Sequence, residues 1–577
     1  MKIHARTLVT LSALFALNNA PGLPGVKVAK GERAPVSERA RAKPTGNRTT
    51  KLKQDVSKGR QYKRVHQYAL DQILSGHAAQ AVTFLRRHAA ANPRDAETQF
   101  MLGLALVQRG KKAEATAAMR KALSLGLPSG RLMVGPRDLL GPLCEPDALR
   151  DVLGTKPDSP WQPVHGPMVG NVTDRSADLW IRTARPGMYR AVVREIESPG
   201  DKPGRVVSEA EAKATPQSDY TAVIRVKGLR PDRLYCYSVV PKGTRPIPMS
   251  DTQHLRTAPA PGSGTRFTLA FGGGAGYVPP HERMWHTIDA NKPNLLLLLG
   301  DNIYSDHPES PHMQRYCYYR RQSRPEFRAL IAHTPVYAIW DEHDFGTNDC
   351  WGGSEIDHPT WKRPVWNVFR QNWVNPGYGG GEARPGCWYA FNWGDVAFFM
   401  LDCRYYRTDP RIQDPSMLGP VQKKWLEKKL RASKATFKVI CSSVPFDFRT
   451  KGDSLDTWNG YRDEREEIFR FLETEKIDGV ILMSADRHRS DLWKIERDRG
   501  YALYEFNSSR LTNQHVHKAM PAAVFSYNKK QSFGLVEFDT LAPDPTVKYA
   551  IVTIDGETVH AFTVKRSRLT HESKRRS

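Results

Sequence analysis

Three runs of ionisable side chains, each directly behind an all-apolar stretch, hold the chemistry legible in this 577-residue chain. The first is Leu295–Leu299 followed by Gly300-Asp301-Asn302-Ile303-Tyr304. An apolar strand ending in Gly-Asp sets a carboxylate at the strand's carboxyl edge, where it can face a cation. Tyr304, three residues on, can reach the same point, and a phenolate is a good ligand for a ferric ion. The second is Val336–Trp340 followed by Asp341-Glu342-His343-Asp344-Phe345-Gly346-Thr347-Asn348. Four successive ionisable residues behind an apolar strand are hard to explain by packing. Carboxylates are oxygen ligands for hard cations, and His343 can donate a proton or hold a phosphoryl oxygen. The third is Val480–Met483 followed by Ser484-Ala485-Asp486-Arg487-His488. If the backbone there stays extended, Asp486 and His488 point to one side and form a candidate ligand pair.

Between the second and third runs lies Leu401-Asp402-Cys403-Arg404. Arg404 is either a phosphate clamp, since a guanidinium matches phosphate oxygens two at a time, or the partner of Asp402 or a neighbour in a salt bridge. The three runs lie 40 and 145 residues apart. An α/β rhythm surrounds them: strand candidates Phe267–Phe271, Leu295–Leu299, Val336–Trp340, Val396–Leu401, Phe437–Ser442 and Val480–Met483, with helices over Gly419–Arg431 and Asp463–Glu475. Open α/β sheets collect ligand groups at strand carboxyl ends, so the runs have a reason to converge.

Together, Gly-Asp-x-x-Tyr, Trp-Asp-Glu-His-Asp-Phe-Gly-x-Asn, Leu-Asp-x-Arg and Asp-Arg-His resemble the PhoD-like (alkaline phosphatase D) branch of the calcineurin-type metallophosphoesterases, over roughly 265–540. The resemblance implies an α/β four-layer fold, a β-sandwich core flanked by helices, and a multinuclear metal centre of iron with calcium. Asp301 matches the bridging carboxylate and Tyr304 the phenolate ligand. Asp341, Glu342 and Asn348 match the second group of ligands, with the choice between the adjacent carboxylates left open. Asp486 and His488 match the last pair, and His343 the histidine that assists the leaving group or transition state. The activity implied is hydrolysis of phosphate esters by a metal-activated water, on a phosphorylated small molecule or polymer. The alternatives are a phospholipase D-like phosphodiesterase and a catalytically degenerate protein that binds phosphorylated ligands. One position departs from the family: where it carries a cysteine ligand to iron, this chain reads Phe271-Gly272-Gly273-Gly274-Ala275-Gly276. Gly274 has no side chain to offer. The loop is then either an anion-binding nest of backbone amides or a tight packing turn, and iron is in doubt.

The remaining chain is read as what positions and delivers this domain, placed at 265–564. Residues 160–258 alternate apolar and polar positions at Ser176–Arg182, Tyr220–Val226 and Leu234–Val240, as in a fibronectin III-like β-sandwich, the amino-terminal domain usual in the resembled family. No polar constellation converges there, so a structural or gating role is expected. Residues 62–127 are helical, and Leu102-Gly103, Leu106, Ala115, Met119 and Ala122 fit a tetratricopeptide-like unit. It is either a helical hairpin packed on its neighbour or a surface for a protein partner. Residues 1–20 read as a secretory signal peptide, which places the protein in the periplasm, cell envelope or exterior. Residues 21–60 read as a disordered basic linker and 565–577 as a basic tail. The net charge is +25, and these two ends hold a large share of it, either simply solvated or attaching the protein to an acidic surface or polymer. None of the seven cysteines forms a CxxC pair, which excludes a structural zinc site of that type; one or two disulfides would accompany export. No run of about 18 apolar residues occurs, so no membrane-spanning helix is expected.

Overall fold

The structure, a computed structural model, describes residues 62–144, 146–153, 163–244 and 253–571. The expected signal peptide and linker, and the last residues of the tail, lie outside them. Four helices open the described chain: α1 (Tyr62–Leu74), α2 (Ala78–Ala91), α3 (Ala96–Gln108) and α4 (Lys112–Ser124). The small residues of this stretch are what bring the helices close. A Cβ at Gly103 would come 2.6 Å from the Met119 methyl, so α3 and α4 meet nearly backbone to side chain. Three short helices not expected from the sequence continue the unit to Leu153 (Gly130–Val134, Arg137–Leu140, Pro146–Leu153).

Seven strands follow: β1 (Pro163–Gly170), β2 (Ser176–Thr183), β3 (Gly187–Glu195), β4 (Val206–Ala214), β5 (Thr221–Lys227), β6 (Leu234–Pro241) and β7 (His254–Arg256). They form antiparallel sheets ordered β1-β2-β5 and β4-β3-β6-β7. The three segments with period-two patterning are β2, β5 and β6.

The large domain carries β8 (Arg266–Gly272), β9 (Leu295–Leu299), β10 (Val336–Ile339), β11 (Tyr389–Trp393), β12 (Val396–Met400), β13 (Phe437–Cys441) and β14 (Val480–Ser484). After these come β15 (Ser490–Ile495), β16 (Leu503–Ser508), β17 (Phe525–Tyr527), β18 (Ser532–Asp539), β19 (Thr546–Thr553) and β20 (Thr558–Lys565). One sheet runs β10-β9-β8-β18-β19-β20 and the other β11-β12-β13-β14-β16-β15-β17. The parallel strands β8–β10 and β12–β14 are the ones expected from the sequence, and all but β8 are buried along their whole length, as parallel strands covered on both faces must be. Aromatic side chains fill the seam between the sheets: Phe267 stacks on Phe538 at 5.3 Å, Phe437 meets Phe538 at 5.6 Å, and Phe506 stacks on Tyr549 at 4.6 Å. The domain runs beyond the expected boundary at 564: Leu569 is fully buried and His571 bonds Asp478 at 2.7 Å, so the tail begins on the domain surface. Cys236, Cys317, Cys350, Cys387, Cys403 and Cys441 are free thiols, which corrects the expectation of disulfides among them. No helix among the described residues is long and apolar enough to cross a membrane.

Both smaller units dock through buried arginines onto α5 (Pro311–Gln322). Arg131 pairs with both oxygens of Glu97 at 2.8 and 2.9 Å, and Tyr316 of α5 donates to Glu97 at 2.7 Å. On the other side Arg182 of β2 reaches Gln322 at 2.6 Å, Asp219 at 2.9 Å and Asn372 at 2.9 Å, while Tyr319 of α5 donates to Asp219 at 2.7 Å. Burial works to raise the Glu97 carboxyl, but Arg131 overcomes it and holds the group down at about 2. Removing one member of such a buried pair strands the other. Arg131→Met is therefore expected to cost about 3–5 kcal/mol, and Arg131→Met with Glu97→Gln to recover much of it. Urea unfolding of the three proteins checks this.

Candidate metal centre

The predicted site residues lie beyond the carboxyl ends of parallel strands, Asn348 alone past a further helical turn (Glu342–Phe345), and the backbone turns sharply at those ends. Gly300 and Asp301 carry φ of +103° and +53° after β9, and a Cβ at Gly300 would come 2.5 Å from that of Asp341. This glycine lets the β9 and β10 loops touch. Asp301 accepts from Tyr304 Oη at 3.0 Å and from the His343 amide at 3.3 Å. Burial, reinforced by Asp301, holds the Tyr304 proton well above the usual phenol range; Tyr304 in turn accepts from Asn513 at 2.6 Å.

The Asp341–Asp344 run divides its work. Asp344 faces backwards and accepts from the amides of Asn302 (3.2 Å), Ile303 (2.8 Å) and Asp341 (3.1 Å), fastening the β9 loop to the β10 loop; burial raises its carboxyl to about 7. His343 bonds through Nδ1 to Asp306, leaving Nε2 3.9 Å from Glu342. Asp341 and Glu342 turn toward the other acids of the cluster. Ligand atoms of Asp301, Glu342 and His343 lie within 4.8 Å of one another, as do those of Asp341, Glu342 and Asp486, and of Glu342, Asp349 and Asp456. Glu342 belongs to all three groups, so of the two adjacent carboxylates it is the pivot.

Several expectations are corrected. Asp486 and His488 do not share an extended strand: φ is +68° and +47°, so the pair turns out of β14 in left-handed backbone. Asp486 joins Asp341 and Glu342, while His488 stacks edge-on against His515 and His517 at 5.0 and 5.5 Å. Asn348 and Asp349 are both exposed at the turn, and the Asp349 carboxylate comes close to those of Glu342 and Asp456. Arg404 is fully buried and committed to Asp341 (2.5 Å), Glu342 (2.6 Å), Asp456 (2.7 Å) and the Cys350 carbonyl (3.0 Å). Of the two readings the salt bridge holds, with Asp341, Glu342 and Asp456 as partners in place of Asp402, which accepts from Trp340, Cys387 and the Arg404 and Tyr405 amides. The glycine loop is not an anion nest. The amides of Gly273, Gly274 and Ala275 already donate to the carbonyls of Ser508 (3.0 Å), Gly300 (3.3 Å) and Asp301 (2.8 Å).

Sequence reading missed Asp456, Lys451, Asp349, Arg487 and Asp306. Asp456 is gripped by Arg404, Lys451 (3.0 Å) and Arg407 (3.0 Å), which outweigh burial and hold it well below the carboxylate range. Lys451 also lies 3.5 Å from Asp486. These residues follow no apolar strand except Arg487, so the strand-end rule could not find the rest.

The donor set fits a hard cation. Asp341 Oδ2 is buried with no hydrogen-bond partner, and burial together with Glu342 and Asp301 drives this carboxyl well above its usual range despite Arg404. An orphaned carboxylate oxygen beside two further acids is what a bound cation would satisfy. Oxygens dominate, with one imidazole and no thiolate.

A two-sheet core with acidic groups converging at its strand ends defines a metallophosphoesterase-like architecture. It is similar to the solved structure of PhoD (TM-score 0.60, 18% identity, 71% of this chain and 91% of that one). It is also similar to that of the purple acid phosphatase PPD1 from yellow lupin, Lupinus luteus (TM-score 0.50, 13% identity, 70% and 75%). Residues 269–570 match the PhoD-like phosphatase model, and the chain belongs to that family. A curated relative, alkaline phosphatase D of Bacillus subtilis (strain 168), is 24% identical over 333 residues, 50% of this chain and 56% of the relative, so the chain spans little more than half of its length. Residues 162–259 match a separate domain of unknown function, DUF7800.

Gly274 explains the missing thiolate. Its φ is +67°, and a Cβ there would come 2.2 Å from the Ser509 carbonyl. Gly274→Ala is expected to destabilise by about 1–3 kcal/mol from the left-handed backbone alone, with the clash adding to it. Gly274→Cys should lose at least as much without gaining iron. Calorimetry and elemental analysis check both.

Proposed function

We propose that this protein hydrolyses phosphate esters at the Glu342-centred cluster. The observation that carries the reading is that acids from three separate strand ends, Asp301, Asp341 and Asp486, are buried in groups that share Glu342, with an unsatisfied carboxylate oxygen among them. Asp301, Glu342, Asp341 and Asp486 would hold the cations, with Asp349 and Asp456 bordering them. A cation there supplies Lewis-acid charge to phosphoryl oxygens and acidifies water. The chain's own residues do the rest. Arg404 holds Asp341 and Glu342 so that each presents its other oxygen. Tyr304 and the His343 amide orient Asp301. His343 keeps Nε2 toward Glu342 and Asp301, placed to give or take a proton at a substrate oxygen. The oxygen-rich donor set favours calcium or a similar hard ion over iron.

Binding of phosphorylated ligands without turnover is the second reading, favoured by the loss of the family's thiolate at Gly274. Export, recognition of an acidic polymer through the basic ends, and a protein partner at the helical unit remain proposals resting on sequence alone.

Asp301→Ala is expected to keep the wild-type melting behaviour and lose about two orders of magnitude or more in kcat/KM. p-Nitrophenyl phosphate and bis-p-nitrophenyl phosphate, assayed beside elemental analysis, check this and rank monoester against diester. Stoichiometric metal without turnover on either ester would favour the binding reading.

A further inference from the structure

Helix α1 lies outside the family-matched segment, which begins at residue 269, yet it delivers side chains to the edge of the metal centre. Arg64 Nη1 sits 2.5 Å from Asp306 Oδ2, both side chains being one-tenth exposed. The other oxygen of Asp306 bonds His343 Nδ1. One turn along, Gln67 receives a hydrogen bond from Arg64 at 3.2 Å and donates to the carbonyl of Tyr304. A further turn along, Asp71 meets His307 at 3.4 Å. Positions 64, 67 and 71 fall on one helical face, and that face is laid along the 304–307 loop.

The loop in turn grips His343 twice. The amides of Ser305 and Asp306 donate to the His343 carbonyl at 3.1 and 3.4 Å, and the Asp306 carboxylate takes the ring at Nδ1. A carboxylate on one imidazole nitrogen fixes the tautomer and the ring angle, leaving the other nitrogen aimed at its target. Here the target side holds Glu342 and Asp301. Asp306 is itself buried, in left-handed backbone at φ +48°, with one oxygen facing the Arg64 guanidinium and the other the His343 ring.

We propose that Arg64 is a positioning residue for His343, acting through Asp306, and that the helical unit is thereby a working part of the site. The proposal rests on the reading of His343 as a residue that meets substrate or cation. Without Arg64, the buried Asp306 carboxylate loses the cation that faces the oxygen not bonded to the imidazole. It must turn toward water or find another donor, and the ring loses its fixed angle.

The test uses the full chain carrying Arg64→Gln, Arg64→Lys, Asp306→Asn, His343→Gln and the pair Arg64→Gln with His343→Gln. Arg86→Gln, which breaks an exposed ion pair to Glu114 in the same helical unit, is the control. kcat and KM are measured on p-nitrophenyl phosphate. The downfield ring N–H resonance of His343 is followed by histidine-selective 15N labelling in metal-free protein, assigned by its loss in His343→Gln. Arg64→Gln is expected to lower kcat about 10–100-fold with KM within about twofold, as for other partners that orient a site histidine. Arg64→Lys should recover part of the loss, Arg86→Gln should match wild type, and the paired variant should be no slower than His343→Gln alone. The His343 ring resonance should shift or vanish in Arg64→Gln. If Arg64→Gln fails to fold, Arg64→Lys and Asp306→Asn make the same comparison. A wild-type kcat and unchanged resonance in Arg64→Gln beside an impaired His343→Gln would overturn the positioning role alone. An unimpaired His343→Gln would remove the reading of His343 and this proposal with it.

Discussion

Asp301, Asp341, Glu342, Asp456 and Asp486 are all buried and draw on one small volume. Two like charges 4 Å apart repel by about 4 kcal/mol at an effective dielectric constant of 20. A fold that gathers five carboxylates must therefore supply positive charge from within or take it from a ligand. Arg404 is the internal answer. Its guanidinium is fully buried and divides its donors among Asp341, Glu342 and Asp456. Lys451 then bridges Asp456 and Asp486, and Arg407 adds to Asp456. The residue first expected to grip a phosphate is the one that keeps the ligands from repelling one another, and its planar fork suits it to that work better than a lysine would be. What it leaves unmatched, Asp341 Oδ2 and the acids around Glu342, is the share open to cations.

The same constraint explains the loop structure at the strand ends. Left-handed backbone at Gly300, Asp301, Asp306, Asp349, Asp486 and His488 turns each segment back on itself where carboxylates must face inward. Asp and His tolerate that region better than bulkier residues do. Asp344 anchors two of these loops with three amides, and Asn302 reinforces it by donating to the Ile339 carbonyl at 2.8 Å. The acidic cluster is thus held in shape by groups outside it.

Where an all-apolar run met an ionisable cluster, sequence reading found strands and site residues together. β9 is five leucines, and its next residues are Gly300 and Asp301. It failed where partners come from turns. Asp456 and Lys451 sit in a loop with no periodic pattern, and Asp306 lies beyond the motif that contains Asp301 and Tyr304. It failed again on chemistry that depends on who is adjacent. Nothing in Leu-Asp-x-Arg says that Asp402 will cap a turn while Arg404 crosses to another strand end. Helix α5 escaped notice because Tyr-Cys-Tyr-Tyr-Arg-Arg-Gln reads as a mixed polar stretch, although Met313 to Gln322 is buried apart from Arg315, which is partly exposed. Burial of so polar a helix follows only from pairing, which a one-dimensional pattern does not contain.

That helix ties the molecule together. Tyr316 receives the helical unit through Glu97, Tyr319 and Gln322 receive the β-module through Asp219 and Arg182, and Arg321 bonds the Ala275 carbonyl at 2.6 Å. Ala275 donates in turn to the Asp301 carbonyl, and α5 begins four residues after the loop that α1 lies along. Each docked unit therefore bears on the same short stretch from Asp301 to Gln322. A helix of this composition cannot be buried by hydrophobic packing alone, so its polar side chains need partners on every side, and the two flanking units provide them. The flanking units do not merely sit beside a self-sufficient large domain: they complete the polar pairing of the helix that follows the Asp301 loop, and α1 reaches the loop itself.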